Sequence, residues 1–441
     1  MKKNFKAFLA LVMVLIMLAS CGSSGADTAP ATGTDAPSAT DDGGTDETAD
    51  TQAPSGDKIT LTWPCIWVGT DSKAAAVKAI VDEFNAANEG KIEVVIEESS
   101  DYQAYRDKLR TLIATGNAPD IFTFDSDIDV MLTSDKVADI TSYMDDTWKD
   151  TFQKDSLENG SVDGKIKALP FEMGVTPVFY NMKLLKEAGW DKAPETYDEL
   201  IQCAKDLKAN GIDPFSQMTG ENAWTSMLWY SQLLVACGGK DVMSNPDDPA
   251  WVEAADLMKE LFEYTTADAV GAGASVSGGH YLAEETAIYM NGPWYIGRLS
   301  TDGVDGLYDN TEVAAAPTVE GGKGEAGYYV GSVQAFLAVG DSGDQAKTDA
   351  AVEFYKFFTQ PENVARIAED SGALFYIDSG DGGERIRGKM LEDIAAAPYV
   401  VNHLNYSSPP AVNTEFPQAL SSLVLGECTS QEFVDMLNAQ R

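Results

Sequence analysis

Histidine is nearly missing from this chain. Among 441 residues there are two, His280 and His403, and neither sits near a serine or cysteine motif. That removes the usual base of a nucleophilic triad and the commonest metal ligand. No GxSxG, HExxH, phosphate-loop or dinucleotide fingerprint occurs either. Cysteine is scarce: Cys21, Cys65, Cys203, Cys237 and Cys428 contain no CxxC pair, and their spacing is unlike a zinc site. Cys203 and Cys237 fall in apolar helical patterns and are expected to be small core residues. Basic side chains are outnumbered, 31 against 70 acidic, for a formal net charge of -39. Such a chain repels nucleic acid and anionic lipid surfaces, so neither is an expected partner.

Long apolar runs are also missing beyond the N-terminus, so no later segment is expected to span a membrane. The start differs. Lys2, Lys3 and Lys6 precede an apolar stretch from Ala7 to Ala19, and Ser20-Cys21-Gly22 follow. A basic start, a short apolar run and small residues describe a secretory signal over residues 1–20. Leu18-Ala19-Ser20-Cys21 resembles the bacterial lipobox, which would make Cys21 the lipidated first residue of the mature chain. Residues 22–57 are Gly, Ser, Thr, Ala, Pro and Asp with almost nothing apolar. They cannot bury enough surface to offset their ordering entropy, so 21–57 is expected to be a flexible acidic tether on a lipid anchor.

The remainder has the makings of a folded body. Hydrophobic residues make up 44% and aromatics 10%, and the length suits two domains. Ile59 to Trp63 alternate up to a proline and predict a first strand. Asp71 to Asn88 places Ala74, Val77, Ile80, Val81 and Phe84 at helical spacing. Ile92, Val94 and Ile96 predict a second strand, Tyr105 to Ile113 a helix stopping at Gly116, and Pro119 to Phe124 a third strand. This alternation predicts a parallel sheet covered by helices. Ligands of such sheets sit beyond the strands' carboxyl ends, where Trp67 and Asp125-Ser126-Asp127 lie. A second α/β unit starts near Ala168. Thr196-Tyr197-Asp198-Glu199 reads as a reciprocal capping box, and helices are expected at 224–237, 249–264 and 350–370.

Four stretches, in order, carry a resemblance. They are "YRDKLRTLIATGNAPDIFTF" (105–124), "KALPFEMGVTPVFYNMKLLKEAGWDKAPETYDELIQCAKDLKANGIDPF" (167–215), "AIYMNGPWYIG" (287–297) and "DAAVEFYKFFTQPENVARIAEDSGAL" (349–374). Together they resemble the family 1 extracellular solute-binding proteins, the carbohydrate-binding lipoproteins of ABC importers, which include maltose-binding protein. The resemblance implies an α/β, two-lobe periplasmic-binding-protein-like fold of type II, with discontinuous lobes joined by hinge strands. The lobes are expected at 58–125 plus 331–378 and at 126–330 plus 379–441. It further implies a monomer that takes a carbohydrate in the interlobe cleft and hands it to a membrane permease, with no cofactor. Glu284-Glu285-Thr286 and Phe375-Tyr376 depart from the family pattern, which leaves the solute open.

A sugar offers weakly apolar C–H faces and directional hydroxyls, so its site wants aromatic plates edged with Asp, Glu, Asn and Arg. By the match to the family's "GPW", Trp294 is the expected plate, and Tyr295 is expected to be structural. The same resemblance makes Trp67, Trp224 and Glu172 candidate ligand contacts. Asp125 and Asp127 follow the third strand, and Asp125 is preferred. Tyr329 and Ser332 lie in a glycine-rich crossing segment, where ligand contact and hinge packing are both open. Core packing is the alternative reading of each tryptophan. Asp125 to Lys136 mimics the start of a calcium loop, but Val130 and Lys136 stand where Gly and Glu are required, so no metal is expected. Two other functions stay open: a secreted carbohydrate-active enzyme, and a binder of another solute such as a polyamine.

Overall fold

The structure, a computed structural model, describes residues 58–99, 101–125, 127–380 and 384–441. The expected signal, Cys21 and the tether lie outside these residues. The strand Ile59–Cys65 runs parallel to Ile92–Glu98, with Ile59 opposite Ile92 and Cys65 opposite Glu98. The expected stop at Pro64 does not occur. The strand has one ladder partner, so Pro64 sits at an edge where a missing N–H costs little. Leu61, Trp63 and Cys65 point inward and meet Val77, Ile80, Val81 and Phe84 of the helix Ala74–Ala87.

The all-parallel expectation fails at the third strand. Ile121–Phe124 pairs antiparallel with Val333–Val339, Phe124 opposite Phe336 and Ile121 opposite Val339. A returning strand from far along the chain fills the place that a local reading gives to a parallel neighbour. The sheet order is Leu374–Phe375, Leu169–Met173, Val333–Val339, Ile121–Phe124. Against it pack two helices, Gln345–Phe358 and Pro361–Ser371, where one helical stretch at 350–370 was expected. Pro361 cannot continue the first helix, but its fixed φ suits the first turn of the next. Aromatic edges knit this core: Trp63 lies 5.4 Å from Phe358, and Phe84 lies 5.1 Å from Phe354.

Beyond the expected lobe boundary at 125/126, Met131, Ile140, Trp148, Phe152 and Phe171 are still buried in the first core. The reason is apolar content. The segment carries enough large side chains to be drawn onto the first sheet before the chain crosses over.

The second core surrounds a sheet ordered Thr311–Ala314, Val178–Asn181, Thr286–Met290, Asp213–Phe215. The helix Trp224–Gly238 runs through its middle, with Thr225 to Cys237 all buried. A helix apolar on every side needs cover on every side. Tyr230 meets Trp251 at 6.1 Å, Phe416 at 5.8 Å and Phe433 at 5.3 Å, from the helices Ala250–Phe262, Pro410–Val424 and Ser430–Asn438. The capping box at Thr196 is only half made. Thr196 Oγ1 accepts from the Glu199 N–H, but Glu199 takes the N–H of Glu195 instead of Thr196. The complete box is at Thr429 and Glu432.

The chain crosses between the cores at 173–176, at 330–333 and again after Ile377, and the first two crossings are bonded to each other. Gly174 N–H donates to Ser332 O (2.8 Å) and Thr176 N–H to Val330 O (3.0 Å). A Cβ on Gly331 would fall 2.7 Å from Val175 Cα, so only glycine permits this approach.

Candidate functional site

The strand Thr286–Met290 is wholly buried, and Asn291-Gly292-Pro293 turn the chain at its end. Gly292 N–H donates to the side-chain oxygen of Asn291 (2.7 Å), and Pro293 opens a single tight turn. That turn sends two adjacent aromatics opposite ways. Tyr295 goes inward, 2% exposed, and its hydroxyl donates to Gly278 O at 2.6 Å. It packs on Tyr289 (5.1 Å) and Phe179 (5.6 Å) in a third apolar cluster that also takes in Met173, Tyr281 and Leu374. Trp294 remains partly exposed on the rim of that cluster. Its ring lies back over Gly292, where a Cβ would come within 2.2 Å of it. Glycine is therefore what lets the indole lie flat on its own turn.

Trp224 faces Trp294, with ring centroids 6.1 Å apart and planes tilted 48°. It is the first residue of the helix Trp224–Gly238, behind a loop in which Glu221 and Ala223 hold left-handed backbone at φ 52° and 49°. Such conformations cost about 1–3 kcal/mol each and persist only where surroundings enforce them. Here they do. Thr219 N–H donates to Ala269 O, Gly220 N–H to Ala272 O, and Ala223 N–H to Gly220 O, at 2.9–3.0 Å. Gly220 has no room for a side chain, since a Cβ would meet Gly271 O at 2.5 Å.

A second group is polar. Glu172, 2% exposed on the strand Leu169–Met173, lies 3.5 Å from Lys73 Nζ, and Lys73 lies 3.7 Å from Asp71. Lys73 stands at the amino end of the helix Ala74–Ala87, where a cation is disfavoured by the helix dipole. Burial opposes its charge, but Glu172 and Asp71 outweigh burial and hold the ammonium above its usual range. Burial lifts the Glu172 carboxyl above the usual carboxylate range, and the Lys73 charge does not cancel this. Tyr102 donates to Asp71 at 3.0 Å. One turn further along the helix Tyr102–Ala114, Arg106 meets Asp125 with two parallel bonds, Nε to Oδ1 at 2.8 Å and Nη2 to Oδ2. The second lobe contributes to this region through Tyr406, whose phenol is pushed up by burial and by the Asp125 charge. Ser332 Oγ lies 3.2 Å from His403 Nε2, and the His403 ring lies 4.8 Å from Tyr406. Burial pushes the His403 imidazole down to about 4, so it is neutral at pH 7.

The candidate residues therefore divide. Trp294 and Trp224 come together, and Glu172 and Asp125 share the polar group, with Ser332 at its border. Three stand apart from both groups. Trp67 is 2% exposed, between Trp63 (6.2 Å), Phe171 (5.6 Å) and the Lys73 ammonium (5.9 Å), so neither ring face is open. Tyr329 is 1% exposed and turns its hydroxyl to Asp393 (3.3 Å), because its strand feeds into the second core. Asp127 sits in left-handed backbone and turns to Arg110, 2.7 Å away on the outer part of the helix Tyr102–Ala114. Sequence reading missed Asp71, Lys73, Tyr102, Arg106, His403 and Tyr406. Only Tyr102 and Arg106 left a signal, as a four-residue spacing that puts both on one helix face. Among the described residues no group of three or more His, Cys, Asp or Glu could hold a metal ion.

Two α/β lobes clipped together by bonded crossings, with side chains from both meeting in one polar group, define a two-lobed solute-binding fold of type II. The chain belongs to the bacterial extracellular solute-binding protein family, which matches residues 69–365. It is 27% identical over 294 residues to the maltotriose-binding protein of Pyrococcus abyssi, a match covering 64% of this chain and 59% of that protein. It is 27% identical over 228 residues to the sn-glycerol-3-phosphate-binding periplasmic protein UgpB of Brucella abortus, covering 48% of this chain and 49% of that one. The matches thus span about half to three-fifths of these relatives' own lengths. A chitin oligosaccharide binding protein shares the fold at TM-score 0.79 and 22% identity, covering 87% of this chain and 98% of that one. Maltose-bound MalE3 of T. maritima does so at TM-score 0.72 and 20% identity, covering 86% and 98%.

Proposed function

We propose that this chain is the extracytoplasmic solute-binding component of an ABC importer and captures a sugar or oligosaccharide between its lobes. The observation that carries this reading is the Trp224–Trp294 pair: two partly exposed indoles 6.1 Å apart, one at the edge of the second core and one on the rim of the third cluster. Aromatic faces take the C–H patches of a pyranose, and the carboxylates of the polar group take its hydroxyls. Ligand touching both lobes would favour a closed form by its differential affinity. The closed form would then dock on a membrane permease and release the solute unchanged. The maltotriose-binding relative supports the ligand class. The lobes in this reading are about 58–171 plus 333–377, and the rest of the described chain. Lipid on Cys21 would hold the protein at the membrane; Cys21→Ser is expected to release it into the soluble fraction.

Titration calorimetry of the full chain against maltotriose, chito-oligosaccharides and xylo-oligosaccharides tests the reading. Saturable binding by at least one is expected, with a rise in Tm, because a ligand of the native state alone stabilises it. Chromatography after overnight incubation is expected to return the same saccharide; cleavage products would place the chain among enzymes.

A further inference from the structure

The two histidines sit in opposite surroundings. His403 is buried and neutral, whereas His280 is partly exposed and stands between two carboxylates. Its Nε2 lies 2.9 Å from Asp268 and its Nδ1 2.5 Å from Glu285. A carboxylate only accepts, and a neutral imidazole donates from one nitrogen alone. The charged ring is therefore the form that donates to both acids at once. Partial burial opposes that charge, but the bonds to Glu285 and Asp268 outweigh it and hold the imidazole above its usual range. In return, the bond from His280 holds Asp268 below the usual carboxylate range.

What the ring joins is the scaffolding of the two indoles. His280 is on the helix Ala274–Leu282, whose Gly278 O takes the Tyr295 hydroxyl at 2.6 Å, next in sequence to Trp294. Asp268 belongs to the segment that leads into this helix. The same segment carries the Trp224 loop. Thr219 N–H donates to Ala269 O, Gly220 N–H to Ala272 O, and Gly271 N–H to Thr219 Oγ1 at 2.9 Å. The Asp268–His280 bond thus fastens the mount of Trp224 to the mount of Trp294. Glu285 directly precedes the strand Thr286–Met290, which ends at the Trp294 turn. Other charged groups around the helix are already engaged. Glu284 is paired with Lys183 at 2.7 Å, Arg298 with Asp302 at 2.7 Å, and Glu221 Oε2 takes the Ala274 N–H at 3.4 Å. Burial pushes the phenols of Tyr281, Tyr289 and Tyr295 up, so none of them titrates near neutral pH.

We propose that charged His280 is a positioning residue for the indole pair, and that solute binding weakens when the ring gives up its proton. The proposal rests on the reading of Trp224 and Trp294 as ligand plates and adds a control on them by pH. The direction follows from the bonds. The folded chain holds the ring above its usual range, so the tie is intact at mildly acid pH. It is lost as pH rises through the raised value.

The test follows the full chain from about pH 5.5 to about pH 9, the span over which a histidine of this kind changes charge. Histidine ring NMR tracks the proton, since His403, pushed down to about 4, is silent in that window. Near-UV circular dichroism tracks the indole pair, identified as the part of the signal lost in Trp294→Phe. The pair signal is expected to fall as His280 deprotonates. It should be flat and low in His280→Gln, and flat and high in His280→Arg, which keeps the charge and the donors. Affinity of the wild type for maltotriose and chito-oligosaccharides is expected to weaken about threefold across the range and to be pH-independent in both variants. A pair signal that ignores the His280 titration, or keeps its pH dependence in His280→Gln, would overturn the proposal and leave sugar capture standing. If no saccharide binds at any pH, sugar capture fails and the spectroscopic arm still decides the proposal. Should His280→Gln fail to fold, the wild-type series and His280→Arg decide it.

Discussion

Trp67 and Trp294 begin alike. Each follows the end of a strand, Ile59–Cys65 in one case and Thr286–Met290 in the other, and each lies where α/β sheets put their ligands. Their fates differ. Trp67 is covered by Phe171 from a neighbouring strand, by Trp63, and by the stem and charge of Lys73. Trp294 has no such cover, because the next residue, Tyr295, takes the inward place and Gly292 gives the indole a flat seat outside. The end of a strand therefore does not make an aromatic a contact. What decides is whether the chain supplies another side chain to fill the interior.

The largest expected effect separates the two at once. Trp67→Ala is expected to lose about 3–5 kcal/mol of stability, the usual range for a fully buried large aromatic, measured by urea denaturation. A loss under 1 kcal/mol with a sharp drop in saccharide affinity would erase the contrast. Trp294→Ala should do the reverse: saccharide binding weakens by about 1–3 kcal/mol, taking stacking on nucleobases as the nearest analogue, with a smaller stability loss than Trp67→Ala. Unchanged affinity by calorimetry would take Trp294 out of the site. Gly292→Ala is expected to push the indole off its seat and off its rotamer, costing about 1–1.5 kcal/mol in affinity while Trp294 itself remains. Normal affinity in that variant would mean the seat is irrelevant. Tyr295→Phe is the smallest. It removes one buried hydroxyl bond and should lower stability by about 0.5–1 kcal/mol with affinity unmoved. An affinity loss as large as that of Trp294→Ala would make the pair one functional unit.

Much of the helical structure was legible because burial and periodicity coincide, as in Val77, Ile80, Val81 and Phe84. The division of "GPWYIG" into an outward tryptophan and an inward tyrosine was legible too, from the forced turn and the family pattern. Strand partnership was not. The antiparallel partner of Ile121–Phe124 lies some two hundred residues downstream, and no local signal in "PDIFTF" records it. The polar group was half legible. Glu172 stood out by its match to the family pattern and Asp125 by its place just past a strand, whereas Lys73 and Arg106 look like solvated helix charges until the fold brings carboxylates onto them. Tyr406 and His403 come from a segment without periodicity or motif, and only tertiary contact places them beside Ser332.

The paired crossings carry one more consequence. Since Gly174 and Thr176 are tied to Ser332 and Val330, and Gly331 lies against Val175, the two linkers cannot flex independently. Any swing of one lobe about the other would turn these two together, with the third link after Ile377 following them. A methyl group at position 331 would wedge that pair. It would alter how far the molecule can open before it altered what the molecule can hold.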